Sequence, residues 1–224
     1  MKHSHLDPTT DLERAAFADG VALLAGVDEV GRGAWAGPVS VGVAVVDRTT
    51  LARLPYGIRD SKLLAPARRE ALFPLIASAV AAYAVGHASH AECDELGMTA
   101  AQRLACERAF AQLPVAPDRT IVDGKFDYTR RPEARPLVGA DRTSVVVAAA
   151  SVLAKVTRDR HMVDLAPQYP AFSFASNKGY PSPDHIDALG AVGLCEIHRQ
   201  SWSFADAYRS VALRSASGVQ APGL

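Results

Sequence analysis

Asp28 and Glu29 stand side by side at the end of the apolar stretch 21–27, and Gly31-Arg32-Gly33 follows at once. Adjacent carboxylates can hold a hard cation through oxygen. Glycines let backbone approach a phosphate or a sugar closely, and an arginine offers phosphate a forked donor. Metal-assisted work on a phosphodiester would use all three; a strand closing in a polar turn would look the same. A two-cation hydrolytic site gathers about four carboxylates around ions roughly 3.5–4 Å apart, so further acids must come from elsewhere. Asp123 closes Thr120-Ile121-Val122 just before Gly124, and Asp141 follows Gly139-Ala140 ahead of a long apolar pattern. Each alone reads as a turn or cap residue; their value lies in combination. Neighbouring strand residues point to opposite faces. Asp28 and Glu29 can therefore share a site only if the strand breaks there, or if Glu29 uses its reach or its backbone carbonyl. The glycines at 31 and 33 favour a break.

The elements that must position these groups follow from periodicity. Residues 21–30 read as a strand, and Val39 to Val46 as its antiparallel neighbour. Residues 56–64 form a loop carrying Asp60-Ser61-Lys62. Residues 66–80 have helical spacing, with Pro66 suited to the first turn and Pro74 expected to kink or split the helix. Residues 83–87 are a short strand, 99–113 a helix capped by Thr99, 119–123 a short strand and 136–139 a short edge element. Residues 144–165 form the longest helix, apolar nearly all round at its start and so buried against the sheet. A loop with Asn177-Lys178-Gly179-Tyr180-Pro181 precedes terminal helices at 183–191 and 204–213, and 215–224 reads as a frayed tail. Strands crowd the first half and helices the second, which indicates an α/β fold with a mixed sheet and a helical C-terminal extension.

A chain of 224 residues, 49% hydrophobic and 21% charged, can bury an ordinary core. It has no membrane-length apolar run and no visible secretory signal. Cys93, Cys106 and Cys195, an odd number without a close pair, fit reduced thiols in a cytoplasmic protein. A net charge of zero weighs against a large nonspecific nucleic-acid binder, though an acidic metal site and a basic rim would cancel. The window 125–160 carries such a rim, or else a solvated face of mixed charge. Lys155 and Arg158 share a helix face there, turned to a nucleic-acid backbone or to solvent. Ser61 and Lys62 could touch phosphate. His87-x-x-His90-x-x-Cys93 has metal-ligand spacing but lacks the second ligand pair a zinc site needs. Gly31-x-Gly33-x-x-x-Gly37 is no dinucleotide loop, because a strand follows it where a helix should.

The chain resembles the bacterial ribonuclease HII family. The resemblance spans residues 20–205 and rests on Gly26-Val27-Asp28-Glu29-Val30-Gly31-Arg32-Gly33, Asp60-Ser61-Lys62, Val122-Asp123-Gly124, the block from Ala149 to Asp159, Lys178-Gly179-Tyr180 with His185, and His198-Arg199. It implies a ribonuclease H-like fold, a mixed five-stranded sheet flanked by helices at 21–166, after an N-terminal segment at 1–20 and before a helical extension at 167–214 and a flexible tail at 215–224. It implies a monomeric hydrolase using Mn²⁺ or Mg²⁺ held by Asp28, Glu29, Asp123 and Asp141. The substrates would be RNA–DNA hybrids and DNA containing ribonucleotides, cut 5′ of the ribonucleotide to leave 3′-hydroxyl and 5′-phosphate ends, in ribonucleotide removal and RNA primer removal. Gly31, Arg32 and Gly33 would read the ribose 2′-hydroxyl, which separates RNA from DNA; Tyr180 would lie against the following deoxyribose.

Three departures stand out. Ala34-Trp35 replaces the usual Pro-Leu, Leu63 stands where a second lysine is frequent, and Gly139-Ala140 replaces Lys-Gly before the fourth acid. The last removes a positive charge beside the site and leaves Asp159, in Arg158-Asp159-Arg160, as a rival ligand whose other role is pairing with arginine. Three rivals remain: a nuclease of the same fold acting on DNA alone, a module that binds hybrids without cutting, and a purely structural metal site.

Overall fold

The computed structural model describes residues 7–131 and 133–211. A five-stranded sheet has the order β3-β2-β1-β4-β5. Its strands are β1 (Leu24–Val30), β2 (Val39–Val46), β3 (Ala82–Ala88), β4 (Arg119–Asp123) and β5 (Ala134–Leu137). β1, β2 and β3 pair antiparallel, while β4 runs parallel to both β1 and β5, so the sheet is mixed. β1 begins at Leu24; the backbone N–H groups of Ala22 and Leu23 are instead taken by the Asp118 carboxylate.

Helices cover both faces. α1 (Asp11–Ala18) and α2 (Arg48–Leu51) flank one end of the sheet, and α3 (Pro66–Ala79) runs uninterrupted through Pro74. The expected split does not occur, because Leu72, Ile76 and Ala79 keep one buried face on both sides of the proline. α4 (His90–Leu96) was not visible as a helix; Ser89 and Glu92 close a capping box at its start. α5 (Met98–Ala111) starts from Gly97 with no side-chain cap, so Thr99 lies inside the helix rather than at its cap.

α6 (Val145–Leu165) is the central helix, with Ser144 as its N-cap. It lies against β1 and β2 where Gly26 and Gly42 leave room. A Cβ at Gly26 would sit 2.5 Å from the Val146 carbonyl carbon, and one at Gly42 2.6 Å from the Ala150 oxygen. Glu13 of α1 reaches the helix start, accepting from the Ser144 hydroxyl at 2.6 Å and the Val146 N–H at 3.1 Å. The N-terminal segment is thereby tied to the helix that backs the site.

α7 (Phe174–Asn177), α8 (Pro183–Val192) and α9 (Ser203–Asp206) form the C-terminal part around a third apolar cluster of Met162, Phe172, Phe174 and Leu189. α9 covers only the start of the helix expected at 204–213: a turn follows it, helix resumes at 209–211, and residues 212–213, like the tail expected at 215–224, lie outside the described residues. No helix among the described residues is long and apolar enough to cross a membrane.

Candidate active site

Along β1 the side chains alternate. Leu24 joins the core under α6, and Ala25 and Val27 join the core under α5. By that alternation Asp28 faces α6 and Glu29 faces α5. The strand runs on to Val30, so the expected break at Gly31 does not supply convergence. Glu29 uses its reach instead: its carboxylate accepts from Gln102 Nε2 of α5 at 3.3 Å yet stays within electrostatic range of Asp123.

Val27 pairs with Val122, which sets Asp123 beside Asp28 at the ends of two parallel strands. Asp123 Oδ1 accepts the Ala140 N–H at 2.8 Å. Gly139, at φ +70°, starts the short 3-10 turn Ala140–Arg142, and that turn buries Asp141. One carboxylate thus fixes the loop that carries the next. Here the Gly-Ala departure has a local role: glycine adopts the left-handed conformation, and Ala140 enters the core.

The electrostatics show how crowded these acids are. Burial, then the Glu29 charge, pushes Asp28 well above the usual carboxylate range; Asp123 and Asp141 add to this and a Ser151 hydrogen bond opposes it. Burial and Asp123 raise Glu29, against Lys62 and Arg32. Burial, Asp60 and Asp123 push Asp141 up to about 6. Desolvation draws the Lys62 ammonium down, but the combined field of Asp28, Asp60, Asp141 and Glu29 outweighs it and its pKa stands raised. No group of three or more His, Cys, Asp or Glu side chains among the described residues forms a ready metal cage. Like charges in a low-dielectric setting hold apart unless a cation screens them.

Two members of the site carried no assigned role in the sequence. Asp60 is a buried fifth carboxylate whose Oδ1 accepts the Lys62 N–H at 2.9 Å. Its Asp-Ser-Lys context carries a capping signal but nothing that places it beside Asp141. Gln102 accepts from the Arg32 guanidinium while donating to Glu29; a mid-helix glutamine offers no local signal. Ser61 is buried, with its hydroxyl 2.9 Å from that of Ser151. It therefore supports the Asp28 surroundings instead of meeting phosphate directly.

The turn after β1 is held from inside. Gly31 has φ +83°, and a Cβ there would lie 2.2 Å from Arg158 Nε. Arg158, fully buried, donates to the carbonyls of Pro38, Lys178 and Ala36 at 2.8, 3.0 and 3.2 Å. It faces neither solvent nor a nucleic-acid backbone, contrary to expectation, because residues 31–38 fold over it. Arg199, also fully buried, donates to the carbonyls of Gly31, Arg32 and Gly37. The Gly31 N–H donates to the Tyr180 hydroxyl at 3.0 Å, and Trp35 stacks on Phe204 with ring centroids 4.2 Å apart. A Cβ at Gly33 would meet nothing within 4 Å, so that position faces open space.

Lys155 pairs with Asp159 at 2.8 Å and lies 5.3 Å from the Tyr180 ring centroid. The rival ligand Asp159 is therefore paired with a lysine, not an arginine. His87 Nδ1 lies 2.7 Å from the Ser40 hydroxyl, and Cys93 is buried under α5; with His90 they form no metal-holding group among the described residues.

Adjacent strand ends bearing carboxylates, next to a glycine turn locked by buried arginines, suit metal-assisted chemistry on a phosphodiester. The sequence comparisons narrow this. The family model described as Ribonuclease HII matches residues 25–205. A ribonuclease HII of Streptomyces avermitilis is 51% identical over 202 residues, covering 89% of this chain and 85% of the relative. One of Thermus thermophilus is 46% identical over 184 residues, covering 81% and 86%. The crystal structure of the ribonuclease H2 from Pyrococcus horikoshii matches with a TM-score of 0.72 at 31% identity, covering 86% of this chain and 98% of that one. The ribonuclease HII of Archaeoglobus fulgidus, solved as a complex with PCNA, matches with a TM-score of 0.66 at 25% identity, covering 81% and 95%. The chain belongs to the ribonuclease HII family, hydrolases that act as endoribonucleases H.

Proposed function

We propose that this protein is a monomeric, Mg²⁺- or Mn²⁺-dependent endonuclease. It cuts the RNA strand of RNA–DNA hybrids and the bond 5′ of a single ribonucleotide in duplex DNA, leaving 3′-hydroxyl and 5′-phosphate ends. Its role is ribonucleotide removal and primer removal. One observation carries the reading: the turn that presents Gly31 and Gly33 begins three residues after Asp28, directly beyond the end of the same strand, so a sugar read by the turn sits next to the carboxylates.

The donor set fits a hard divalent cation, since it consists of carboxylate oxygens crowded closely enough that burial and neighbouring charge raise Asp28, Glu29 and Asp141. Asp28, Glu29, Asp123 and Asp141 would hold it. When bound, such cations polarise the phosphate and lower the pKa of an attacking water. A ribonuclease HIII of the same fold, solved in complex with Mn²⁺, matches with a TM-score of 0.66 at 22% identity. The protein's own groups orient the substrate. The backbone at Gly31, Arg32 and Gly33 meets the 2′-hydroxyl, Tyr180 meets the next sugar, and Lys62 and Lys155 meet phosphate. Asp60 steadies Lys62, and Ser61 acts on Asp28 through Ser151.

A duplex carrying one ribonucleotide tests this. It should be cleaved with Mn²⁺ or Mg²⁺ and lose about 10⁴-fold in rate when that ribose becomes deoxyribose, the scale on which a site built to bind a hydroxyl rejects its absence. Comparable cutting of the all-deoxy duplex would sink the reading.

The raised carboxylates also fix a pH dependence. The folded state holds protons on Asp28, Glu29 and Asp141 that the unfolded chain releases near pH 4. Stability contributed by these groups is therefore fullest in acid and falls as pH rises through about 6. Without divalent cation, melting at pH 7.5 should lie below melting at pH 5. At a cation concentration about a hundred times Kd, stability should rise by about 2.7 kcal/mol, or about 5–10 °C, and more at pH 7.5 than at pH 5. Scanning fluorimetry with EDTA and with Mg²⁺ at both pH values checks it; equal shifts would overturn the site.

A further inference from the structure

Beneath Tyr180 lie two fully buried histidines that the cleavage reaction does not use. His185 Nδ1 is 2.8 Å from the Tyr180 carbonyl oxygen, His185 Nε2 is 2.9 Å from His198 Nε2, and the Cys195 N–H points at His198 Nδ1 from 2.9 Å. Phe172 and Phe174 close around both rings.

The distances determine the protons by elimination. A carbonyl can only accept, so His185 Nδ1 donates. Burial lowers the pKa of both imidazoles, His198 to about 4, so each is neutral and carries one proton. His185 Nε2 must therefore accept, His198 Nε2 must donate, and His198 Nδ1 must accept, with the Cys195 N–H at 2.9 Å and the Cys195 thiol at 3.0 Å as its donors. The Cys195 carbonyl, 3.2 Å from the same nitrogen, is then a neighbour without a hydrogen bond. The result is one directional chain from Cys195 through both rings to the backbone of Tyr180. At its far end the Tyr180 hydroxyl accepts from Gly31 N–H. The Tyr180 carbonyl also takes the Ser182 N–H at 2.8 Å, so the tyrosine is held at its main chain and at its ring tip.

We propose that His185 and His198 are a positioning pair for Tyr180, a buried strut that sets the tyrosine ring against the Gly31 turn and thereby sets selectivity for the sugar at the RNA–DNA junction. The selectivity part rests on the reading that Tyr180 meets that sugar. A small displacement of a positioned group can cost up to about a hundredfold in rate, so a strut without contact to substrate can still control it.

The test compares cleavage of a single-ribonucleotide duplex with cleavage of a long hybrid, at matched folding by circular dichroism. His185→Leu should lower the junction-to-hybrid ratio about tenfold, and His185→Asn, which keeps a donor near the Tyr180 carbonyl, should restore most of it. In a Tyr180→Ala background, His185→Leu should add less than about twofold, as expected for residues acting as one unit. Equal loss on both substrates in folded His185→Leu, or independent effects in the double variant, overturns the pair's role. If Tyr180→Ala leaves the ratio unchanged, the reading of Tyr180 itself fails, and the selectivity role with it. Should the His185 variants not fold, ¹⁵N imidazole spectra of the unaltered protein decide. Nδ1–H on His185 with Nε2–H on His198 at pH 7 supports the strut; any other tautomer pair, or a charged ring, overturns it.

Discussion

Asp28→Asn is expected to lower single-turnover cleavage by about 10³-fold or more, equivalent to about 4 kcal/mol of barrier, while raising the melting temperature of the metal-free protein. The two effects share a cause. Asp28 is buried, stands beside Glu29, and has Asp123 next to it on the parallel strand. Its negative charge is costly in the folded chain and useful only when a cation compensates it. Asparagine keeps the size and one carbonyl oxygen, which can still accept the Glu29 N–H now 2.8 Å from Oδ1. It removes the charge that a cation held there, as proposed, would need. Asp28→Ala would confuse the matter by leaving a cavity and an unpaired backbone donor. Cleavage within tenfold of the unaltered protein, or a lower melting temperature in EDTA, would count against the placement of Asp28 at the centre of the acidic group.

Arg199→Met is the second large effect, and it acts on the turn. Burial holds the Arg199 pKa down to about 10, so the guanidinium remains charged at neutral pH. It is fully buried among carbonyl oxygens, with Gly31 and Arg32 at 2.7 and 2.9 Å and Gly37 at 3.2 Å. Methionine fills part of the volume and satisfies none of them. Unpaired buried acceptors cost about 1–3 kcal/mol each. A loss of about 3 kcal/mol or more is expected, near 10 °C in melting temperature, with cleavage falling about a hundredfold as the turn loosens. Arg199→Lys should rescue little, because one ammonium cannot span the fork. Arg209→Ala is the control: its ion pair with Asp206 is exposed, and such a pair is worth about 0–1 kcal/mol. Denaturant unfolding measures all three, and an Arg199→Met midpoint close to that of Arg209→Ala would refute the account.

Where side chains obey a short period, the fold was readable. β2 alternates valine with small residues and appears at the expected bounds, and Ser144 caps α6 where the apolar run begins. Asp123 and Asp141 were legible as acids at element ends, and both lie within electrostatic range of Asp28. Features set by distant chain were not legible. Lys155 and Arg158 sit three apart on one helix, yet only Arg158 is fully buried, since residues 31–38 cross it from 120 positions away. Asp60 joins Asp141 through a loop contact with no local sign. α4 was hidden for another reason. The Ser89-x-x-Glu92 capping signature overlaps the His87, His90 and Cys93 spacing, and the two patterns imply different structures for the same residues.

The guanidinium of Arg199 closes on a turn whose Arg32 carbonyl lies 167 positions earlier in the chain. During synthesis from the N-terminus, Asp28, Glu29, Asp123 and Asp141 have all been made while the turn's carbonyls still lack their donor. The carboxylates can therefore assemble on the nascent sheet before the turn is set, and a ribosome-bound fragment that stops short of Arg199 has the acids without the buried donor that holds the turn. In order of synthesis, the strand ends that carry the acids come long before the residue that locks the turn beside them.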